Sequence, residues 1–69
     1  MPSKRELLTK MVGQPINAFT KWGSVNVFFT GPANGTLTAV GEELFEVTGR
    51  NGAKTYFDIS LTSEIAMKP

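Results

Sequence analysis

The sequence contains no cysteine and no histidine among its 69 residues. Without cysteine the chain cannot form a disulfide, and without histidine it lacks the most common side-chain metal ligand in proteins. No apolar run approaches the roughly 20 residues that a membrane-spanning helix needs. The N-terminus also lacks the apolar centre of a signal peptide. These missing features predict a cytoplasmic protein that needs neither a metal nor a cofactor.

The chain is short enough to be one domain of marginal stability. A domain of this size buries about 60% of the surface that its unfolded chain exposes, and such domains often depend on a disulfide, a metal or a partner subunit. Because disulfides are excluded, oligomerisation is the remaining means of stabilisation. Folding as a monomer also remains open, since many domains near this size fold alone.

The charges nearly cancel but are unevenly placed. Seven Lys and Arg residues against six Asp and Glu residues give a net charge of +1, which predicts no strong overall attraction for nucleic acid. Residues 1–23 carry a net charge of +3 and residues 24–69 a net charge of −2. The N-terminal part is either a helix with ordinary surface lysines or a basic face, which a ring of subunits would repeat around its axis.

A short N-terminal helix is predicted over residues 4–12. Ser3 and Glu6 have the spacing of a capping box, in which each side chain bonds to the backbone of the other residue. Gly13 is a favourable C-terminal residue, and Pro15 prevents the helix from continuing. The apolar stripe of this helix consists of Leu7, Leu8 and Met11. A helix of this length is unstable alone, so it is expected to lie on the rest of the domain.

Five strands are predicted after the helix. They cover residues 24–30, 36–40, 44–48, 54–59 and 64–68. In the first strand Val25, Val27 and Phe29 alternate with other residues, as expected for a strand with one face towards a core. Asn51-Gly52 is typical of a tight hairpin turn. Residues 13–23 are interpreted as an irregular connection with some extended character.

The order of these elements resembles the Sm, LSm and Hfq family of small β-barrels. The residues that carry the resemblance are Leu7-Leu8 with Gly13, Val25-x-Val27-x-Phe29, Gly35-x-Leu37-x-Ala39-Val40, Leu44 to Val47, Gly52, and Ile59-Ser60-Leu61 with Ile65. The chain departs from the family where Asp-x-x-Met-Asn usually precedes the third strand. It has Gly41-Glu42-Glu43-Leu44-Phe45 there, so Phe45 replaces the base-contacting asparagine.

The resemblance implies a mainly β fold, in which the N-terminal helix precedes a strongly bent, five-stranded antiparallel barrel of the SH3-like type. It also implies one Sm-like domain over residues 1–69. In such proteins the fourth strand of one subunit pairs with the fifth strand of the next, which predicts a cyclic homo-oligomer of roughly five to seven subunits. The subunit interface would include Tyr56, Ile65, Ala66 and Met67.

The function that the resemblance implies is binding of single-stranded RNA, in RNA processing or regulation. The candidate RNA-binding residues are Phe45, Glu43, Leu44, Lys68, Lys4, Arg5 and Lys10. Phe45 is alternatively a core residue, because it begins an apolar strand. Trp22 is interpreted as a plug of the barrel end beneath the helix, with base stacking or a subunit contact as the alternatives. A structural or protein-recruiting ring without nucleic-acid binding is the second functional interpretation.

The sequence shows no catalytic constellation. Without histidine or cysteine, nucleophilic catalysis would depend on serine or threonine, and no nucleophile motif surrounds the serines. Glu42, Glu43 and Glu46 are interpreted as solvated carboxylates of a turn and a strand rather than as a metal or acid–base site. Gly49 to Gly52 is interpreted as a hairpin rather than a phosphate-binding loop, because no helix follows it. The chain is therefore predicted not to be an enzyme.

Overall fold

The structure, a computed structural model, describes residues 2–68. Within these residues one helix precedes six strands, which form a single open sheet in the order β5-β4-β3-β1-β2-β6. The elements are α1 (Lys4–Lys10), β1 (Pro15–Lys21), β2 (Ser24–Phe28), β3 (Gly35–Val40), β4 (Leu44–Thr48), β5 (Lys54–Asp58) and β6 (Thr62–Ala66). The mainly β fold with one short N-terminal helix is confirmed, but the predicted number of five strands is wrong.

The capping box at the start of α1 is confirmed. The backbone N–H of Glu6 donates to the Ser3 hydroxyl at 3.1 Å, and the backbone N–H of Ser3 donates to the Glu6 carboxylate at 3.3 Å. Leu8 anchors the helix on the core, because its side chain is 0% exposed. After the helix, the backbone of Leu37 on β3 bonds to both Gly13 and Gln14. The helix is therefore fixed over β3 at one side chain and at its C-terminal connection.

Residues 13–23 do not form the predicted irregular connection, because most of this segment is β1; the extended character predicted for part of it is confirmed. Ile16 and Ala18 face the core, and Asn17 lies between them on the other face. Pro15 begins the strand, a position where its missing N–H is tolerated. β1 forms a hairpin with β2 and pairs on its other side with the start of β3.

The last strand begins two residues earlier than predicted and runs parallel to β2. Val27 on β2 lies opposite Ile65 on β6, and one residue, Ser63, bulges out of the ladder. The antiparallel arrangement that the resemblance implies is therefore wrong for this pair. The turn before β6 is closed by a hydrogen bond from the N–H of Thr62 to the carbonyl of Ile59, at 3.1 Å.

One face of the sheet and the helix enclose the core. The buried apolar residues are Leu8, Ile16, Ala18, Val25, Val27, Phe29, Leu37, Phe45, Val47 and Ile59. A β-bulge in β3 helps to fill this core, since Leu37 pairs with Val47 whereas Ala39 pairs with Glu46. The extra residue, Thr38, allows Leu37 and Val40 to face inwards although they are three positions apart.

Asn34 extends the short ladder between β1 and β3. Its backbone N–H donates to the carbonyl of Ile16 at 3.0 Å. Its side-chain amide then bonds to both backbone groups of Ala18, donating at 2.9 Å and accepting at 3.3 Å. A side chain thus takes the place of a further backbone pair just before β3 begins at Gly35.

Candidate nucleic-acid interface

Phe45, the predicted base-stacking residue, lies in the core. Its side chain is 1% exposed, and its ring stacks on Phe57 with the ring centroids 5.3 Å apart. Successive side chains of β4 alternate between the two faces of the sheet, so Leu44 and Glu46 face outwards instead. A ring enclosed in this way offers no face to a base. The prediction that Phe45 stacks on RNA is therefore wrong, and its alternative interpretation as a core residue is confirmed.

Glu43 and Leu44 lie at the turn between β3 and β4, which the N-terminal part of α1 also reaches. The N–H of Gly41 donates to the carbonyl of Leu44 at 2.8 Å, and the N–H of Ile59 donates to the carbonyl of Glu43 at 2.8 Å. The Arg5 side chain donates through Nε to the carbonyl of Gly41 at 3.0 Å. The fold therefore brings Arg5 to the same place as the two predicted turn residues.

Both cations beside this turn contact other groups of the chain, and one of them is paired with an acid. Lys4 donates through Nζ to the carbonyl of Ser60 at 3.3 Å. The Arg5 guanidinium lies 3.8 Å from the Glu42 carboxylate, and both side chains are exposed. Such an exposed pair contributes little to stability. With Glu42 and Glu43 beside the two basic residues, the turn is a weak binding surface for phosphate groups.

Lys10 and Lys68 lie away from the β3–β4 turn. Lys10 is exposed in the last turn of α1. Lys68 follows β6 and borders a cavity of about 300 Å³, whose lining includes Phe29 and the Met11 that caps the C-terminal end of α1. The predicted RNA-binding cations therefore divide between the two ends of the helix instead of forming one patch.

Trp22 lies at the tip of the β1–β2 hairpin and is 92% exposed. The interpretation of this ring as a core plug is wrong. Lys21 pairs with Ser24, so Trp22 and Gly23 form a two-residue loop. Their φ angles of 54° and 77° are those of a type I′ turn, which requires positive φ at both central residues.

The outer face of this hairpin carries two further aromatic rings. Phe19 and Phe28 stack with their centroids 5.8 Å apart and an angle of 12° between the ring planes. The register of the hairpin places them on the side away from the core, together with a lysine and an asparagine. The residues that we name the aromatic hairpin face are Phe19, Lys21, Trp22, Asn26 and Phe28. The alternation of Ile16 and Ala18 before Trp22-Gly23 was the sequence signal for this hairpin.

A polar cluster lies on the outer face of β3, β4 and β5 and is centred on Glu46. Its carboxylate accepts from the Thr38 hydroxyl at 2.6 Å, from the Tyr56 hydroxyl at 2.8 Å and from Lys54 at 3.5 Å. Its side chain is 17% exposed. The Thr38 hydrogen bond, followed by the Tyr56 hydrogen bond, lowers the pKa of Glu46 below its ordinary value of 4.5. The hydrogen bond between Tyr56 and Glu46 also raises the pKa of the Tyr56 hydroxyl.

From the lowered pKa of Glu46, we expect this cluster to make the stability of the fold sensitive to acid. Because the folded-state pKa of Glu46 is lowered, its contribution is present above its unfolded-state pKa and is lost as the pH falls through the folded-state pKa. We expect Glu46→Gln to be less stable than the wild type at neutral pH, with the difference shrinking as the pH falls below about 4.5. Urea unfolding of both proteins at a series of pH values measures this.

Two other carboxyls with a lowered pKa, Glu6 and Asp58, are present in both proteins and cancel in the comparison. A stability difference that stays constant from neutral pH to pH values well below 4.5 would show that the Glu46 hydrogen bonds do not favour the ionised form.

The predicted interface residues lie at opposite edges of the sheet. Tyr56 is exposed on β5, the edge strand at one end. Ile65 and Ala66 are on β6, the edge strand at the other end, and Met67 follows it. All three are half-buried.

Among residues 2–68, no group of three or more acidic side chains is placed to hold a metal ion. No helix in this part of the chain is both long and apolar enough to cross a membrane. Comparisons of the chain with protein-family models, curated proteins and solved structures found no match.

Proposed function

We propose that this chain is an Sm-like subunit that assembles edge to edge into a cyclic homo-oligomer and binds single-stranded RNA. The observation that carries the proposal is the open sheet, which ends in β5 on one side and in β6 on the other. An edge strand presents unpaired backbone groups that recruit another strand unless they are blocked. The sequence resemblance assigns these same two strands to pairing between neighbouring subunits.

The unpaired groups of β5 follow from its ladder with β4. Hydrogen bonds join Gly49 with Ala53 and Glu43 with Ile59. In an antiparallel ladder, hydrogen-bonded pairs alternate with non-bonded pairs, so Thr55 and Phe57 bond to β4. Lys54 and Tyr56 therefore direct their N–H and carbonyl groups towards the open side of the sheet, in register for an incoming strand.

β6 has a corresponding open side. The N–H of Phe29 donates to the carbonyl of Ala66 at 2.8 Å, so the even-numbered residues at the end of β6 bond to β2. The alternation of a parallel ladder then turns the backbone groups of Ile65 outwards. Ile65 and Tyr56 are both predicted interface residues, and the backbone groups of each lie on an open edge of the sheet.

Apolar side chains lie beside both edges on the core side of the sheet. Phe57 on β5 is half-buried, as are Ile65 and Met67 at the other end of the sheet. Joining the edges of two copies would bury these side chains further. Since the two edges are different surfaces, the contact is head to tail, and it closes into a ring if the rotation per subunit allows. By analogy with the Sm family, the ring would contain about five to seven copies of the chain.

The test of assembly is the mass of the native protein. We expect a mass several times that of the 7.5 kDa chain at micromolar concentration, by native mass spectrometry and light scattering. Tyr56→Pro removes an N–H that faces the open edge without removing a bond to β4, and proline is tolerated on an edge strand. This variant is expected to be monomeric.

Tyr56→Ala is the matched control, because it loses the same hydroxyl contact with Glu46 but keeps the backbone N–H. It is expected to remain oligomeric. A wild-type protein that runs as a single 7.5 kDa chain under these conditions rejects the assembly.

RNA binding is supported by the resemblance and by the excess of basic residues at positions 1–23, which a ring would repeat. The test is titration of labelled oligo-U and oligo-A at low and physiological salt, where binding should weaken with a slope of about 0.7 per neutralised phosphate. The alternative is a structural or protein-recruiting ring, favoured by the burial of Phe45 and the overall charge of +1. Absence of binding at low salt in an oligomeric protein would select that alternative.

A further inference from the structure

Trp22 adopts a backbone conformation that is unfavourable for a residue with a bulky side chain. Among residues 2–68 it is the one non-glycine residue with a positive φ. This region is a genuine outlier for a bulky side chain, and the first position of a type I′ turn favours asparagine, aspartate or glycine. Residues with a strained backbone conformation cluster at functional sites, such as active sites and ligand-binding sites.

Burial does not explain Trp22 either. Its side chain is 92% exposed, so its ring contributes almost nothing to the core. The hairpin would form more readily with asparagine at this position. The strain and the exposure together indicate that the indole contacts a molecule outside the domain.

The surroundings of Trp22 identify the chemistry of that molecule. Lys21 is the single charged residue between positions 11 and 41 of the sequence, so the tip of the hairpin has a cation beside the exposed ring and no acid on its own strands. The acid on the adjoining strand of this face is Glu64, which lies opposite Asn26 on β6 and not at the tip. At the tip of the hairpin, where Lys21 lies beside Trp22 and Glu64 is absent, the charge therefore favours an anionic partner.

Aromatic rings and amide groups complete the surface. The stacked rings of Phe19 and Phe28 stand on the same outer face as Asn26. Three strand positions separate Phe19 from Trp22, which is about 10 Å at the usual rise per residue, so the two rings would contact different nucleotides. Trp22 and Phe19 are exposed, whereas Phe28 is half-buried. Exposed aromatics next to a cation are features of surfaces that bind single-stranded nucleic acid.

We propose that the aromatic hairpin face binds single-stranded RNA by stacking bases on Trp22 and on the Phe19–Phe28 pair, with Lys21 contacting phosphate. This inference rests on the proposed RNA-binding function and moves its base-contacting site from the β3–β4 turn to the β1–β2 hairpin. The hairpin lies away from the open sides of β5 and β6, although β2 adjoins β6. RNA binding and subunit assembly would thus use different surfaces.

The test uses the full chain and its own fluorescence. Trp22 is the only tryptophan, so quenching on addition of short oligo-U or oligo-A reports stacking at this position alone. The anisotropy of labelled RNA measures affinity in parallel. Trp22→Asn is expected to weaken binding roughly 5- to 150-fold, the range for loss of one base-stacking aromatic. Trp22→Phe should lose less, because it keeps a ring.

The asparagine variant also separates binding from folding. Asparagine favours the left-handed conformation of a type I′ turn, so Trp22→Asn should unfold at a higher temperature than the wild type while binding RNA less well. Val12→Asn is the matched control, since it removes an exposed apolar side chain between α1 and β1, at the other end of β1 from the hairpin tip. Its affinity for RNA should be that of the wild type.

The outcomes distinguish the inference from the function on which it rests. If the wild type binds RNA and Trp22→Asn binds it equally well, the hairpin is not the site and the proposed function stands. If the wild type binds no RNA at low salt, both fail. A blue shift of Trp22 fluorescence with phosphatidylcholine–phosphatidylglycerol vesicles, without quenching by RNA, would overturn the inference in favour of a lipid surface.

Discussion

Replacing Leu8 by alanine is expected to lower the free energy of unfolding by about 2–5 kcal/mol. Leu8 is 0% exposed and is the one fully buried residue of α1. The substitution leaves a cavity between the helix and the sheet. A helix of seven residues does not persist without tertiary contacts, so the cavity also loosens the whole element. Urea unfolding followed by far-UV circular dichroism measures both the stability and the helix signal.

The expected loss is large for a domain of this size. At the usual stability per residue, the chain has about 3–10 kcal/mol in total, so Leu8→Ala is expected to leave a substantial population unfolded at room temperature. Leu61→Ala is the matched control because it makes the same chemical change at an exposed position, where the effect should be within about 0.5 kcal/mol. Equal effects of the two substitutions would mean that α1 does not stabilise the core.

Replacing Gly35 by alanine is expected to destabilise the protein by about 1–3 kcal/mol, the usual cost of overpacking a core. Gly35 lies where β1, β3 and β4 approach one another. A Cβ atom there would lie 2.7 Å from Cγ1 of Val47 and 2.8 Å from the carbonyl oxygen of Thr48. The valine has little rotamer freedom and the carbonyl belongs to the backbone, so the strands themselves would have to separate.

Gly41→Ala tests whether the effect comes from the clash and not from the loss of a glycine. A Cβ atom at Gly41 would meet nothing closer than the carbonyl oxygen of Leu44, at 3.4 Å. Reducing the freedom of the unfolded chain at such a position is neutral or stabilises by up to about 1 kcal/mol. Gly35→Ala should therefore lower the unfolding temperature, whereas Gly41→Ala should leave it unchanged or raise it. A Gly35→Ala protein as stable as the wild type would contradict the close strand approach.

The parts of the fold that local patterns specify could be predicted from the sequence. The capping box of Ser3 and Glu6, the alternation around Val27 and the Asn51-Gly52 turn each depend on residues close together in the chain. β1 was missed because Pro15 and the polar residues Asn17 and Thr20 weaken its pattern, and its place in the sheet depends on partners in β2 and β3. Strand propensity is strongly affected by such tertiary context.

The candidate site was harder to predict than the fold. Phe45 was assigned by its position in a family motif, but the register of β4 turns its ring inwards. Trp22 was assigned to the core because large aromatic residues are usually buried in small domains. Its exposure follows from the two-residue loop, which becomes evident only when residues 15–21 are recognised as a strand. The Asn34 amide likewise has no local signal, since its partner Ala18 is distant in sequence.

The parallel pairing of β2 with β6 has a consequence for the order of folding. The β1–β2, β3–β4 and β4–β5 pairs join neighbours in the chain, whereas Val27 and Ile65 are paired across thirty-eight residues. Contacts with long sequence separation form slowly. During synthesis, the side of β2 that pairs with β6 therefore stays uncovered until β6 has emerged from the ribosome, and an unpaired strand edge of this kind is open to aggregation or chaperone binding.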